Sequence, residues 1–145
     1  MHMRGEPATM QDEPQYDDVV AEVRHALVGA AARARRGGVD EIWVDPGIGF
    51  GKSTQHNLAL LASLDELVAE GFPVMVGVSR KRFIGEMHAR SDRVDELRPV
   101  ADRREGSVTL AAWAFSQGVG MVRAHDVRAT VHAAKVVGPC AVMGP

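Results

Sequence analysis

Short apolar runs of β character alternate with longer stripes of helical period along nearly the whole chain. Residues 42–44, 74–78 and 121–127 read as strands, and 1–4 as the tail of a fourth whose apolar beginning is absent. Between the first two, Val19, Val20, Val23, Ala26, Leu27, Ala30, Ala31 and Ala34 form a helical stripe over 19–36. Asp17 and Asp18 precede it, and Gly37 and Gly38 stop it. Thr54 can cap a second helix carrying Leu58, Leu61, Leu64, Leu67 and Val68, ended by Gly71 and followed by Pro73. Ser107 opens a third through Leu110, Ala111, Ala114 and Phe115 to Gly118. Asp126 caps a fourth over 131–137, closed by Gly138. The stretch 86–105 is rich in arginine and aspartate without a sustained apolar stripe. It reads as a long surface connection with one short helical turn. Residues 139–145 are expected to form a disordered tail, leaving 1–138 as the folded unit.

Strands alternating with helices predict βα units and a parallel sheet, an α/β fold. Polar residues recur at the strand ends, at Arg4, Asp45, Lys81 and Arg123, which lie 36 to 42 residues apart. A (β/α)8 TIM barrel of about 250 residues gives each unit about 31. Four units therefore make a half-barrel, and a chain that begins in mid-strand is expected to belong to a larger fold.

With 145 residues, 46% hydrophobic and 25% charged, the chain has the composition of one globular domain and is long enough to bury a core. A net charge of −2 and the lack of basic runs interleaved with aromatics argue against nucleic acid as a partner. The single cysteine, Cys140, rules out an internal disulfide, and the six histidines have no zinc-like spacing. No apolar stretch is long enough to span a bilayer, and the N-terminus lacks a signal-peptide pattern. A cytoplasmic protein without a membrane partner is the expectation.

The densest chemical signal is Asp45-Pro46-Gly47-Ile48-Gly49-Phe50-Gly51-Lys52, directly after Ile42-Trp43-Val44. A carboxylate and a glycine-rich loop at the C-terminal end of a strand stand where parallel α/β sheets collect ligands. Gly51-Lys52-Ser53 has the ending of a phosphate loop, but the first glycine of that pattern falls on Pro46, which has no N–H to offer. Alternation along a strand makes Arg123 and His125 share a face, and likewise Gly77, Ser79 and Lys81. Taken singly, each has a plainer role. Asp45 can set a turn, Arg80 and Lys81 can be a solvated pair, His125 and Asp126 can be a strand end and a cap, and Phe50 can plug a core. Convergence at successive strand ends favours a site for a polar, partly anionic ligand.

Three strings in order, Asp45 to Lys52, Gly77-Val78-Ser79-Arg80-Lys81-Arg82-Phe83-Ile84-Gly85, and Arg123-Ala124-His125-Asp126-Val127, resemble the dihydropteroate synthase family. Met1-His2-Met3 with Thr9-Met10-Gln11 is similar to that family's fifth strand and loop, and Arg104 to Ser107 to the start of its seventh helix. The resemblance covers 1–138 and implies strands five to eight of the barrel. It implies a transferase of folate biosynthesis that joins 6-hydroxymethyl-7,8-dihydropterin pyrophosphate to p-aminobenzoate, with Mg2+ as cofactor and a homodimer as assembly. Pterin binding would fall to Met1, Asp45, Gly77, Lys81 and Arg123. The p-aminobenzoate would meet Phe50, Lys81 and Arg82, and the pyrophosphate Arg123 and His125. Lys81, Arg123 and His125 would carry the catalysis.

Arg82 stands where many members carry serine, and Ala124 where valine is more usual. The family's first and second loops, its third and fourth strands and its magnesium-contacting asparagine have no counterpart here, so no metal ligand is expected in this chain. An inactive chain is therefore expected. The alternatives are a pterin-binding or regulatory fragment and a half-barrel that needs a complementing chain.

Overall fold

The computed structural model describes residues 1–142, with side chains through 138. Helix α1 (Val19–Arg36) starts on Asp18, whose Oδ1 accepts the N–H groups of Val20 and Ala21 at 3.0 Å each. It buries Val19, Val23, Leu27 and Ala31, one face of the predicted stripe. The second predicted helix breaks at Ser63 into α2 (Thr54–Ala62) and α3 (Leu64–Val68). The bend keeps Leu60, Leu61, Leu64 and Leu67 together in the core. Ser53, one residue before the expected cap, starts α2: its hydroxyl accepts the His56 N–H, and His56 Nδ1 accepts the Ser53 N–H.

The expected surface connection is largely structured. Helix α4 (Arg82–Asp92) buries Phe83, Ile84, Gly85 and Ala89, and a 3-10 turn covers Val100–Arg103. The apolar anchors of α4 precede residue 86, so a window opened there sees only its polar remainder. Helix α5 (Arg104–Ser116) begins a turn before Ser107, and α6 (Val127–Val142) begins before residue 131 and continues beyond Gly138. The rest of the expected tail, 143–145, lies outside the described residues.

The strand segments follow one another in chain order, and the pairings of Val44 with Val74 and of residues 75–76 with 121–122 are parallel. His2 N–H donates to Asp45 O at 2.9 Å, Val44 bridges Val74, and β1 (Met75–Val76) pairs with β2 (Met121–Val122), Met75 facing Met121. The ladders are shorter than predicted. Val74 O accepts both the Gly120 and Met121 N–H groups, a local irregularity that interrupts the register, and pairing ends with Arg123 N–H on Val76 O. Beyond those bonds the segments splay into the rim loops.

The two faces of this sheet differ sharply. Val44, Val74, Val76 and Val78 form one core with side chains of α1, α2, α4 and α5, all within 4% exposure. On the opposite face Trp43 and Met121 are 37% and 43% exposed, and Met1 and Met3 at the first segment are also open.

Candidate functional site

The rim of the open face is built from the loops that follow each strand. Asp45, 4% exposed, turns back on its own loop: its Oδ1 accepts the Gly47 N–H at 2.7 Å. Among the described residues Oδ2 accepts no hydrogen bond, which leaves it for a ligand. Gly47 has φ +70°, and a Cβ there would fall 1.8 Å from His2 O; at Gly51, φ +60°, it would fall 2.4 Å from Arg4 O. These glycines let the first segment lie directly on the loop. Gln11 Nε2 donates to Gly49 O at 2.6 Å, and Gly49 N–H donates to Asn57 Oδ1 at 2.7 Å, so neighbouring elements brace the loop from two sides.

After β1 the chain turns through Arg80, which has φ +57°. This strained residue is pinned from behind. Its N–H donates to Ser107 Oγ at 2.8 Å, its carbonyl accepts from the buried Arg103 guanidinium, and its own guanidinium donates to both oxygens of Asp126 at 3.0 and 3.1 Å. The bidentate bond holds the Asp126 carboxyl below its ordinary range and ties the ends of the last two strands together. Arg80 therefore points away from the cavity, and Lys81, the next residue, points into it.

Phe50, Gly77, Ser79, Lys81, Arg123 and His125 line a cavity of about 290 Å³. Lys81 Nζ sits 4.0 Å over the centre of the Phe50 ring. Arg123 lies across Gly77, where a Cβ would be 3.1 Å from its Nη2. The Ser79 hydroxyl accepts the His125 backbone N–H at 3.1 Å and contacts His125 Nδ1 at 2.8 Å. Burial and the neighbouring Arg123 lower the Lys81 pKa, against the pull of Asp45. Cations that disfavour one another around an open cavity suit an anionic ligand.

The structure thus brings together Phe50, Gly77, Lys81, Arg123 and His125. Asp45 is not among the residues lining that cavity but is near enough to Lys81 to act on its charge. Arg82 borders an adjacent cavity of about 490 Å³ shared with Lys81, where its Nε donates to Glu86 at 2.8 Å. Met1 is 58% exposed beside Gly47. Sequence reasoning gave no role to Lys52, Asn57 or Gln11. For Lys52 the signal was there, in a lysine flanked by glycines and Phe50 with no stripe of charge around it.

Residues 1–125 match the sequence profile of the family described as Pterin binding enzyme. Over 136 residues the chain is 46% identical to the dihydropteroate synthase of Mycobacterium leprae, covering 92% of this chain and 47% of that protein. Two structures of the dihydropteroate synthase of Thermus thermophilus resemble it at 47% identity. One is in complex with 6HMPPP, with a TM-score of 0.86, covering 95% of this chain and 53% of that one. The other is in complex with 4-aminobenzoate, with a TM-score of 0.84, covering 95% and 54%. The chain spans about half the length of the curated relatives it matches, and its four βα units correspond to about half of a (β/α)8 barrel.

Proposed function

Since the chain belongs to the pterin binding enzyme family, we propose that it supplies the pterin-holding half of a dihydropteroate synthase, an alkyl transferase that condenses 6-hydroxymethyl-7,8-dihydropterin pyrophosphate with p-aminobenzoate. The observation that carries this reading is a cavity walled by Lys81, Arg123 and His125, with the buried Asp45 carboxylate near enough to Lys81 to act on its charge. The Thermus thermophilus complexes with 6HMPPP and 4-aminobenzoate support the choice of substrates.

Asp45 would accept N–H bonds from the amino-pyrimidine edge of the pterin, a guanidine-like pattern that a carboxylate matches. Arg123 would stack its planar guanidinium on the ring, which lysine cannot do, and with His125 hold the departing pyrophosphate. Lys81 would reach the pterin carbonyl and ring nitrogen, close to the p-aminobenzoate. Phe50 and Arg82 would border the p-aminobenzoate, and Met1 would pack on the pterin. The methylene C–O bond breaks with its electrons leaving on pyrophosphate. The arylamine nitrogen then bonds to the cationic carbon and loses a proton. That amine is neutral at pH 7, so rate enhancement rests on positioning and on stabilising the leaving anion.

The family's Mg2+ takes oxygen ligands. Among the described residues no group of three His, Cys, Asp or Glu could hold it, and the cavity wall is cationic. No step here runs through that ion. A homodimer belongs to the same proposal, supported by exposed Val127, Val131 and Val136 along α6. A cytoplasmic location is supported by the single cysteine, and no described helix is long and apolar enough to cross a membrane.

A turnover assay tests the reading, run on the chain alone and mixed with the first half of a synthase barrel. The expectation is little or no product alone and product on mixing, with Lys81→Ala weakening pterin and p-aminobenzoate use together. Unchanged kinetics in Lys81→Ala, or full activity of the chain alone, contradicts it.

A further inference from the structure

The Gly51-Lys52-Ser53 string has the ending of a phosphate loop but points its lysine inward. Lys52 is 3% exposed, and its Nζ meets three acceptors: Phe50 O at 2.9 Å, Gly47 O at 3.1 Å and His2 Nδ1 at 3.1 Å. An ammonium has three N–H donors, so all three are used and none remains for a ligand. The third bond requires a lone pair on His2 Nδ1, and burial beside Lys52 lowers the His2 pKa to about 4, which keeps that ring neutral.

The three acceptors are not equivalent in what they hold. Gly47 is the residue whose N–H binds Asp45 Oδ1, Phe50 is the residue whose ring carries Lys81, and His2 belongs to the segment that lies on the loop. One ammonium therefore ties together the backbone beside Asp45, the backbone of Phe50 and the first segment. We propose that Lys52 is a positioning residue that sets the Asp45 carboxylate and the Phe50 ring for the pterin from inside the glycine-rich loop, and that it does so only in its charged form. This rests on the pterin reading above but adds a residue that touches no substrate.

Keeping a charge here has an opposing cost. Burial lowers the Lys52 pKa to about 8; Asp45 raises it in part and Lys81 lowers it further. Asp12, Arg82 and Glu86 border the cavity that Lys52 also lines. Because the folded state binds the proton less tightly than the unfolded chain, loss of that proton between pH 8 and the ordinary lysine range relieves the buried charge and favours folding. The same loss leaves two N–H donors for three acceptors. Stability and site geometry should therefore respond to alkali in opposite directions, which a lysine serving only to hold the fold would not produce.

The test follows the Lys52 side-chain carbon and the Gly47 and Phe50 amides by NMR from about pH 6 to 10, with pterin affinity measured over the same range. The probe is 6-hydroxymethyl-7,8-dihydropterin pyrophosphate, and the proteins are the native chain, Lys52→Met and Asp45→Asn. The expected result is that the two amides titrate with Lys52, midpoint about 8, and that this step vanishes in Lys52→Met. Affinity should fall about ten-fold across it, as for loss of one charge-assisted hydrogen bond. Amides that ignore the Lys52 titration overturn the proposal with or without a bound pterin, and need no folded variant. An alkaline loss of affinity that is as large in Lys52→Met as in the native chain belongs to Lys81 and also overturns it. Affinity indifferent to Asp45→Asn sinks the pterin reading instead, leaving the loop result to stand or fall on the amides.

Discussion

The two faces of the sheet carry residues of similar hydrophobicity but meet different surroundings. On the helix side Val76 and Val78 are fully buried under α1, α2, α4 and α5; on the other, Trp43 and Met121 are 37% and 43% exposed. Among the described residues the helices cover the outer face over Val44, Val74, Val76 and Val78 while the inner face lies open, and the polar residues of the inner face gather at one rim. Folding and chemistry are thus largely separable: the valines should govern stability, and Lys81, Arg123 and His125 should govern binding with little effect on the fold, while the buried Asp45 serves both.

The largest effect should come from reversing one face. Val76→Asp places an unpaired carboxylate at a fully buried position and should cost more than about 4 kcal/mol, enough to abolish cooperative unfolding. Met121→Asp, on the exposed face, should cost less than about 1 kcal/mol by the same denaturant titration. Equal losses would erase the distinction between the faces.

Next comes the junction of the first segment with the glycine-rich loop. Gly47→Ala puts a methyl 1.8 Å from His2 O at a positive φ, and should destabilise by about 3 kcal/mol, with loss of the His2 to Asp45 hydrogen bond in amide exchange. At the rim, Arg123→Lys keeps the charge but loses the planar fork. It should weaken pterin binding about ten-fold with the thermal midpoint unchanged.

A further effect is acidic. The His2 pKa is lowered to about 4 from the ordinary 6.5, by burial first and Lys52 second, with Arg4 adding to the shift and Glu22 opposing it. The unfolded chain binds the proton more readily, so neutral His2 contributes its full stability above pH 6.5 and loses it as pH falls toward 4. Replacing His2 with phenylalanine should flatten that part of the stability profile.

Much of the fold was legible because its helices have apolar stripes with clear stops: the bounds of α1 are those the sequence predicts. Helix α4 was not, since its anchors Phe83 and Ile84 adjoin the Lys81 loop and its remainder is charged. Strand lengths were overdrawn because apolar pattern reports burial, whereas a strand also needs a paired neighbour, and pairing ends with Arg123 N–H on Val76 O. Alternation placed Gly77 with Ser79 and Arg123 with His125, and the parallel barrel-like arrangement inferred for the strands brought the two pairs together. The inward turn of Lys52 was not legible, because it depends on carbonyls that two left-handed glycines and a neighbouring segment bring together.

The most direct test of the central claim is calorimetric titration of this chain and of Asp45→Asn with 6-hydroxymethyl-7,8-dihydropterin pyrophosphate. The expected result is weak but saturable binding, reduced about 30-fold or more in Asp45→Asn, as for loss of a charged acceptor. Equal affinity in the two proteins, or no saturable binding by the native chain, would contradict it.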